Sequence, residues 1–442
     1  MSMLWKKLSS AQIIILGFAA LILLGSLLLM MPFSTKDGMG AAFDDALFTA
    51  TSAVCVTGLV VQDTASYWSA AGQAILLALI QIGGMGVVTV AVAIAAASGR
   101  TIGLRQRSTM QESISAPQVG GIVRITGFIL CWTFALEMAG AALLAPVFCR
   151  EFGVLQGLWY SVFHSVSAFC NAGFDLMGVK AQYASLTHYS AHAPVNLVIM
   201  FLIVSGGLGF MTWDDIRRNR LHVHRYRMQS KVILLTTLAL IALPAVYLYF
   251  FEFADMPQGE RIWSSLFQSV TTRTAGFNTV DLMQMSEAGQ FVMILLMLVG
   301  GSPGSTAGGM KTTTLAVAVS TAAAVFARRQ HTQFFGRRIE DDTVRSAFTI
   351  LTMYMTLFLI GGMVISRLEG ISMMVALFET ASAIGTVGLT LGVTPGLGAV
   401  SRLILIFLMY FGRVGGLTLI FAALPGRNPA ASRLPKERLT VG

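Results

Sequence analysis

Four short stretches of this chain are built alike. They cover 48–58, 163–173, 267–276 and 378–388. Each opens on a phenylalanine (Phe48, Phe163, Phe267, Phe378), carries Ser or Thr four positions later (Ser52, Ser167, Thr271, Ser382) and closes on a glycine (Gly58, Gly173, Gly276, Gly388). Such residues share one chemistry. A cation stripped of water in a low-dielectric path needs oxygens to replace its hydration shell, and extended backbone supplies them when its carbonyls point inward. The turn that aims them needs unusual dihedrals, hence glycine. The ring-lining stretches read as 55–58, 170–173, 273–276 and 385–388. Their candidate ion ligands are Val56, Thr57, Gly58, Asn171, Ala172, Gly173, Thr274, Ala275, Gly276, Thr386, Val387 and Gly388. One such glycine would read as an ordinary turn or a close helix contact. Four matched segments, each between two apolar runs, point to a pore with four-fold pseudosymmetry.

The elements that must position these loops follow from composition. Of 442 residues, 55% are hydrophobic and 12% charged, with mean hydropathy +0.72. Soluble domains carry roughly 25% charged residues. The chain therefore reads as an all-α integral membrane protein solvated mostly by lipid. A span takes about 20 apolar residues. Eight candidates lie near 11–31, 70–97, 121–148, 194–213, 229–252, 288–325 (interrupted), 344–367 and 398–424. The first is too long, and its end at Pro32 and Phe33 too poor a cleavage context, for a signal peptide. Each glycine-ended segment sits between two members of a consecutive pair, after about ten residues too short to span. The expected unit is helix, half-helix, pore loop, helix, repeated four times: 1–100, 101–225, 226–338 and 339–442.

The formal charge of +9 would suit a nucleic-acid binder, but the basic residues sit at the ends of apolar runs. Lys6 and Lys7, Arg100, Arg105 and Arg107, the cluster from Arg217 to Lys231, Arg328, Arg329, Arg337 and Arg338, and the tail with Arg427, Arg433, Lys436 and Arg438 fall on one side of an eight-span chain. The positive-inside rule makes that side, with both termini, cytoplasmic. Asp37, Asp44, Asp45, Asp63, Asp175 and Asp281 then lie outside, at the loop mouths.

The second helix of each unit carries clustered glycines, at 83–86, 206–209, 300–304 and 412–416. Close helix packing suffices for the first two. The third cannot continue a helix: Gly300, Gly301, Ser302, Pro303, Gly304, Ser305, Thr306, Ala307, Gly308 and Gly309 precede Lys311. Glycine costs about 1 and proline about 3 kcal/mol in a helix relative to alanine. A broken helix at membrane depth lines a cavity, either as a static kink or as a movable loop. Arg413 lies within the last span, where a charge costs about 2.5–3.5 kcal/mol and usually serves a function. It reads as an electrostatic barrier in the inner pore or as half of an ion pair. Arg273 is expected behind its loop, with Glu379 as a candidate partner, and Glu137 as a structural pair with Arg124.

The chain resembles the Ktr/Trk/HKT potassium transporter superfamily, and within it the Ktr-type ion-translocating membrane component, since it begins directly with the first repeat. The resemblance rests on 56–59, 171–174, 272–279, the loop 300–309, 385–389 with its channel-like Thr386-Val387-Gly388 triplet, and the Gly412-Arg413 pair. It covers nearly the whole chain. It implies potassium uptake across a bacterial plasma membrane, a gate formed by 300–309 with Lys311 and Arg413, a homodimer, and a cytosolic nucleotide-binding regulatory ring docked on the basic loops. Potassium is then the substrate, with sodium a candidate activating ion and no cofactor bound by this chain. Glycine at all four loop positions goes with potassium preference in that superfamily, and serine in the first with sodium permeation. Cys55 and Cys170 stand where Thr and Asn are more usual.

Two other classes compete. A secondary carrier would bind its cargo at broken helices and typically shows inverted repeats, whereas these repeats share one orientation. A sodium-permeant cation transporter would keep the same architecture. An enzyme would need a paired nucleophile or metal set; His164 is isolated, His222 and His224 sit in a basic loop, and the four cysteines lack metal spacing.

Overall fold

The structure, a computed structural model, describes residues 8–98, 103–113, 122–423 and 437. Lys6, Lys7, Arg100, Arg427, Arg433, Lys436 and Arg438 lie outside them. The described chain is helical apart from one two-stranded ribbon, β1 (Gln333–Phe334) with β2 (Arg337–Arg338).

Among the described residues, four helices are long and apolar enough to cross a membrane: α1 (Ser10–Leu29), α6 (Ile122–Phe152), α10 (Met228–Tyr247, extended by a π-helical turn to Glu252) and α14 (Asp341–Glu369). Ser9 starts α1 with a capping box closed by Gln12, which satisfies two backbone donors that a helix N-terminus otherwise leaves unpaired.

A short helix packs against each long one. They are α2 (Phe43–Val54), α7 (Val154–Cys170), α11 (Gln258–Thr271) and α15 (Met373–Gly385). Each stops just before its glycine-ended turn. Phe48, Phe163, Phe267 and Phe378 are fully buried, and so are the Ser and Thr four positions beyond them.

The remaining apolar helices are interrupted. α3 (Ala70–Met85) meets α4 (Val87–Ala97) at 93°, and α8 (Ala193–Gly207) meets α9 (Phe210–Asn219) at 99°. The short helix α5 (Leu104–Ser113) follows α4. Loop 298–311 separates α12 (Glu287–Met297) from α13 (Thr312–Phe326), and α16 (Ala399–Val414) gives way to α17 (Gly416–Ala423). The continuous runs expected at 70–97, 194–213 and 398–424 are thus two helices each. The cause is one glycine in each: Gly86, Gly209 and Gly415 sit at φ 87°, 86° and 91° with ψ 132°, 139° and 129°. L-residues rarely adopt that region, so no helix passes through it. Close packing is also present, as a Cβ on Gly84 would stand 2.7 Å from Cys170 Sγ.

These broken helices close the architecture. α3 packs on α7, α8 on α11, α12 on α15, and α16 returns to α2. The contacts form a circuit with the four glycine-ended turns at its centre.

Candidate ion pathway

The short helices end in one repeated turn. Two residues before each glycine the backbone is left-handed, at Val56 (φ 50°), Asn171 (58°), Thr274 (64°) and Thr386 (51°); the glycines follow at 96°, 69°, 83° and 95°. Positive φ at β-branched Val56, Thr274 and Thr386 is strained, and such strain persists only where the surroundings impose it. Local bonds impose it here. The residue before each glycine donates its N–H back to the helix: Thr57 to Ser52 O, Ala172 to Ser167 O, Ala275 to Thr271 O and Val387 to Ser382 O, at 2.8–2.9 Å. The hydroxyls do the rest. Ser52 and Ser382 accept from the N–H of Gly58 and Gly388 at 3.0 Å, while Ser167 and Thr271 donate to the carbonyls of Phe174 and Phe277 at 2.7 and 2.5 Å.

The four turns meet. A Cβ on Gly58 would stand 2.5 Å from Ala172 O, one on Gly173 2.7 Å from Ala275 O, and one on Gly276 2.6 Å from Val387 O; one on Gly388 would strike Thr57 O. Each glycine therefore faces the carbonyl of the next turn, and the fourth faces the first. The twelve residues proposed as ligands from sequence are brought together, and the non-glycine ones are fully buried.

The side chain after each phenylalanine separates the turns. His164 accepts from Leu176 N–H at Nε2 (3.3 Å), with Nδ1 2.7 Å from Tyr160 O. Glu379 accepts from Thr390 Oγ1 (2.5 Å), Leu391 N–H (3.0 Å) and Thr394 Oγ1 (2.7 Å). Leu176 and Leu391 each lie three residues past their glycine. Glu379 is thus occupied by these three donors and does not pair with Arg273, whose Nη2 instead donates to Gly300 O at 3.1 Å. In the sequence His164 reads as an isolated histidine. Its place in the Phe-to-Gly register was the available signal.

Loop 298–311 lies against the turns. Gly300 N–H donates to Met310 O (2.7 Å) and Thr312 N–H to Gly301 O (3.0 Å), closing the loop at its neck. Outward it is held by α8 and α9: Ser302 N–H to Gly207 O, Thr306 N–H to Gly206 O and Phe210 N–H to Gly304 O. Thr306 Oγ1 donates to Phe169 O at 3.0 Å. A Cβ on Gly309 would stand 2.7 Å from Gly385 O. Lys311 Nζ donates back to Ala307 O at 2.8 Å. Arg413 fastens the loop from the other side, donating to Thr306 O, to Gly83 O, and to Gly84 O at 3.0 Å. Gly83 and Gly84 sit at the end of α3, where carbonyls lack the usual helical partner; Gly83 O also accepts from Gly86 N–H at 3.1 Å. Arg413 is therefore a backbone clamp between the loop and the α3 break, and forms no ion pair among the described residues. A cavity of about 320 Å³ opens beneath, lined among others by Phe18, Gly86, Glu112, Lys311, Tyr354 and Arg413.

Glu137 does not reach Arg124. Thirteen residues apart on one helix, the two are separated by about 20 Å along its axis. The carboxyl instead meets Gln81 Nε2 at 3.2 Å and Cys170 Sγ at 3.8 Å. On the other side of the ring, Asp63 caps Ser66 N–H (2.7 Å) and accepts from Tyr183 N–H (3.1 Å). Nearby, desolvation pushes the Asp175 carboxyl up to about 7, and the Asp63 carboxylate adds to the rise against a bond from Met177 N–H.

The comparisons with known proteins agree with one another. A family model described as a cation transport protein, TrkH, matches residues 9–428. The chain is 39% identical to the potassium/sodium uptake protein NtpJ of Enterococcus hirae, over 99% of this chain and 98% of that one. It is 35% identical to the Ktr system potassium uptake protein B of Bacillus subtilis, over 95% and 94%. Its fold is similar to the crystal structure of the potassium transporter TrkH from Vibrio parahaemolyticus, with TM-score 0.74 and 20% identity, over 94% of this chain and 84% of that one. The chain is a membrane transport protein and belongs to the TrkH cation transport family.

Proposed function

We propose that this chain carries potassium inward across a bacterial plasma membrane through the ring of carbonyls around Gly58, Gly173, Gly276 and Gly388. The observation that carries the reading is the closed circuit in which each glycine faces the next turn's carbonyl. A cation entering it exchanges water for backbone oxygens. The names of the relatives from Enterococcus and Bacillus support potassium as cargo. The architecture proposed is eight spans in four like repeats, each a long helix, a short pore helix and a broken helix, with the termini cytoplasmic. Loop 300–309, with Lys311 and Arg413, is the gate: it sits between ring and cavity and is held by backbone bonds that can be exchanged without breaking a core. The likeness to Ktr proteins further suggests a homodimer regulated by a cytosolic nucleotide-binding ring on the basic loops.

Rubidium and sodium uptake into proteoliposomes with imposed potassium or sodium gradients tests the reading. Rubidium entry competed by potassium, with little sodium entry, is expected. Equal sodium entry favours the sodium-permeant alternative suggested by the Enterococcus relative's name. Replacing Gly58 by Ser, whose Cβ would crowd Ala172 O, should lower rubidium entry and raise the share of sodium in what still enters. Deleting 304–309 should raise maximal flux, and a normally expressed deletion protein with unchanged flux overturns the gate.

A further inference from the structure

A groove of about 690 Å³ runs between α6 and α9, and the ion pathway described above uses none of its arginines. Its lining follows one face of each helix, because residues three and four apart are neighbours on a helix surface. On α6 that face holds Arg124, Phe128 and Trp132; on α9 it holds Phe210, Asp214 and Arg217. The two helices run antiparallel here. Arg217 lies over the Phe128 ring at 5.2 Å, and the Trp213 ring lies 5.1 Å from that of Trp132. The charged ends of both faces therefore meet at the start of α6, and the apolar ends meet further along it.

The basic end carries unmatched charge. Asp214 is shared between Arg218 Nε at 2.9 Å and Arg227 Nη2 at 3.8 Å. Arg124 and Arg217 are exposed and form no ion pair among the described residues. No side chain fills the groove at Gly127, where a Cβ would meet nothing within 4 Å.

Depth selects the ligand. α6 is long and apolar enough to cross a membrane, and Arg124 lies in its first turn. The lining continues along α6 from Arg124 to Ala135, a rise of about 16 Å. One leaflet of bilayer hydrocarbon is about 15 Å deep. A free anion would use only the basic end of such a groove. A molecule with an anionic head and an apolar chain uses all of it.

We propose that this groove binds one anionic phospholipid, with its phosphate at Arg124 and Arg217 and an acyl chain along Phe128, Trp132 and Ala135. Guanidinium forks match phosphate oxygens in geometry as well as charge, and basic pockets between membrane helices on the cytoplasmic side take anionic headgroups. The inference needs α6 to span the membrane and does not rest on the pore reading.

The test is native mass spectrometry of the purified full-length protein in detergent, titrated with dioleoyl phosphatidylglycerol or with dioleoyl phosphatidylcholine. The two lipids share their chains and differ in net charge. The unaltered protein should retain one phosphatidylglycerol about 30-fold more tightly than phosphatidylcholine, the effect expected of two arginines near the membrane surface. Arg124→Gln with Arg217→Gln should abolish that preference. Gly127→Leu keeps both arginines but fills the groove, and should also lose the tightly held phosphatidylglycerol. Equal retention of the two lipids by the unaltered protein overturns the inference. So does competition by glycerol 1-phosphate as strong as that by the intact lipid, which marks a small-anion site. Unchanged phosphatidylglycerol retention in either altered protein overturns it as well, and leaves the arginines to a cytosolic protein.

Discussion

The second and fourth glycine-ended turns are tethered by a side chain of their own short helix, and the first and third are not. His164 and Glu379, each following its phenylalanine, reach past the glycine to hold the N–H of Leu176 and Leu391. Thr49 and Gln268 occupy the same register, fully buried, yet the Thr49 hydroxyl and both amide atoms of Gln268 have no partner. All four glycines nonetheless take positive φ between 69° and 96°. The ring geometry is thus set locally, by the left-handed residue, the glycine and the Ser or Thr. The tether sets how firmly the outgoing chain is held. Two opposite sides of the ring are braced from their own short helix; in the other two the outgoing chain is held from 183–186, by Tyr183 Oη donating to Val61 O, Asn278 N–H donating to Ser185 Oγ and Leu186 N–H donating to Asn278 O.

The ring itself should ignore that difference. Alanine at Gly173, in a tethered turn, or at Gly276, in an untethered one, places a Cβ 2.7 or 2.6 Å from the next carbonyl and strains a positive φ. Rubidium uptake should fall on the order of 100-fold for both, the equivalent of about 2.7 kcal/mol. Unequal losses in properly assembled protein would show that the tether, and not the local turn, shapes the ring.

The tethers should separate the turns. Replacing Glu379 by Ala strands the buried Leu391 N–H and takes an acceptor from the Thr390 and Thr394 hydroxyls, which keep a 3.0 Å bond to each other; an unsatisfied buried group costs about 1–3 kcal/mol, and the lost bonds do not simply add. A loss of about 3 kcal/mol is expected in denaturant unfolding, with weaker discrimination of potassium from sodium. Replacing His164 by Ala strands one N–H and should cost about 1–2 kcal/mol. Equal effects of the two would break the ranking by number of bonds.

Asp175 sharpens the picture outside the second turn. Its folded-state pKa, about 7, lies above the ordinary carboxyl value because of desolvation and then Asp63. The folded chain therefore binds this proton more tightly than the unfolded chain does. The stability so gained is fully present below about pH 4 and is lost as pH rises through about 7. With partial exposure discounted, the swing should be on the order of 1–2 kcal/mol. Asp175→Asn should flatten that part of a melting-temperature profile. An unchanged profile removes Asp175 from it.

Much of this was legible in the sequence, for identifiable reasons. The four turns were found because glycine and the Ser or Thr four residues past Phe act over a few neighbouring bonds, within one stretch of chain. Loop 300–309 was equally plain, since five glycines and a proline cannot stay helical. The right-angle breaks at Gly86 and Gly209 were not: an apolar run with one glycine reads the same whether that glycine packs or turns. The partners of charged residues were least legible. Arg413 and Arg273 end on carbonyls of Thr306, Gly83, Gly84 and Gly300. Backbone acceptors carry no side-chain signature, whereas opposite charges do, so from sequence Arg273 reads toward Glu379 and Glu137 toward Arg124.

Gln268 gives the smallest effect and the finest test of the comparison. Its amide is fully buried with neither atom bonded to protein. If the third turn has no tether from its own helix, that amide contributes only desolvation cost, and an apolar side chain of similar length relieves it. Gln268→Met should then be neutral or stabilising by about 1 kcal/mol, with ion selectivity unchanged. Buried polar groups of this kind also hold ordered water. A water bridging Gln268 to the chain beyond Gly276 would make it a tether after all. In that case Met would cost about 1–3 kcal/mol and loosen selectivity as the Glu379 variant does. The sign of this one change therefore separates a ring braced on two sides from a ring braced on three.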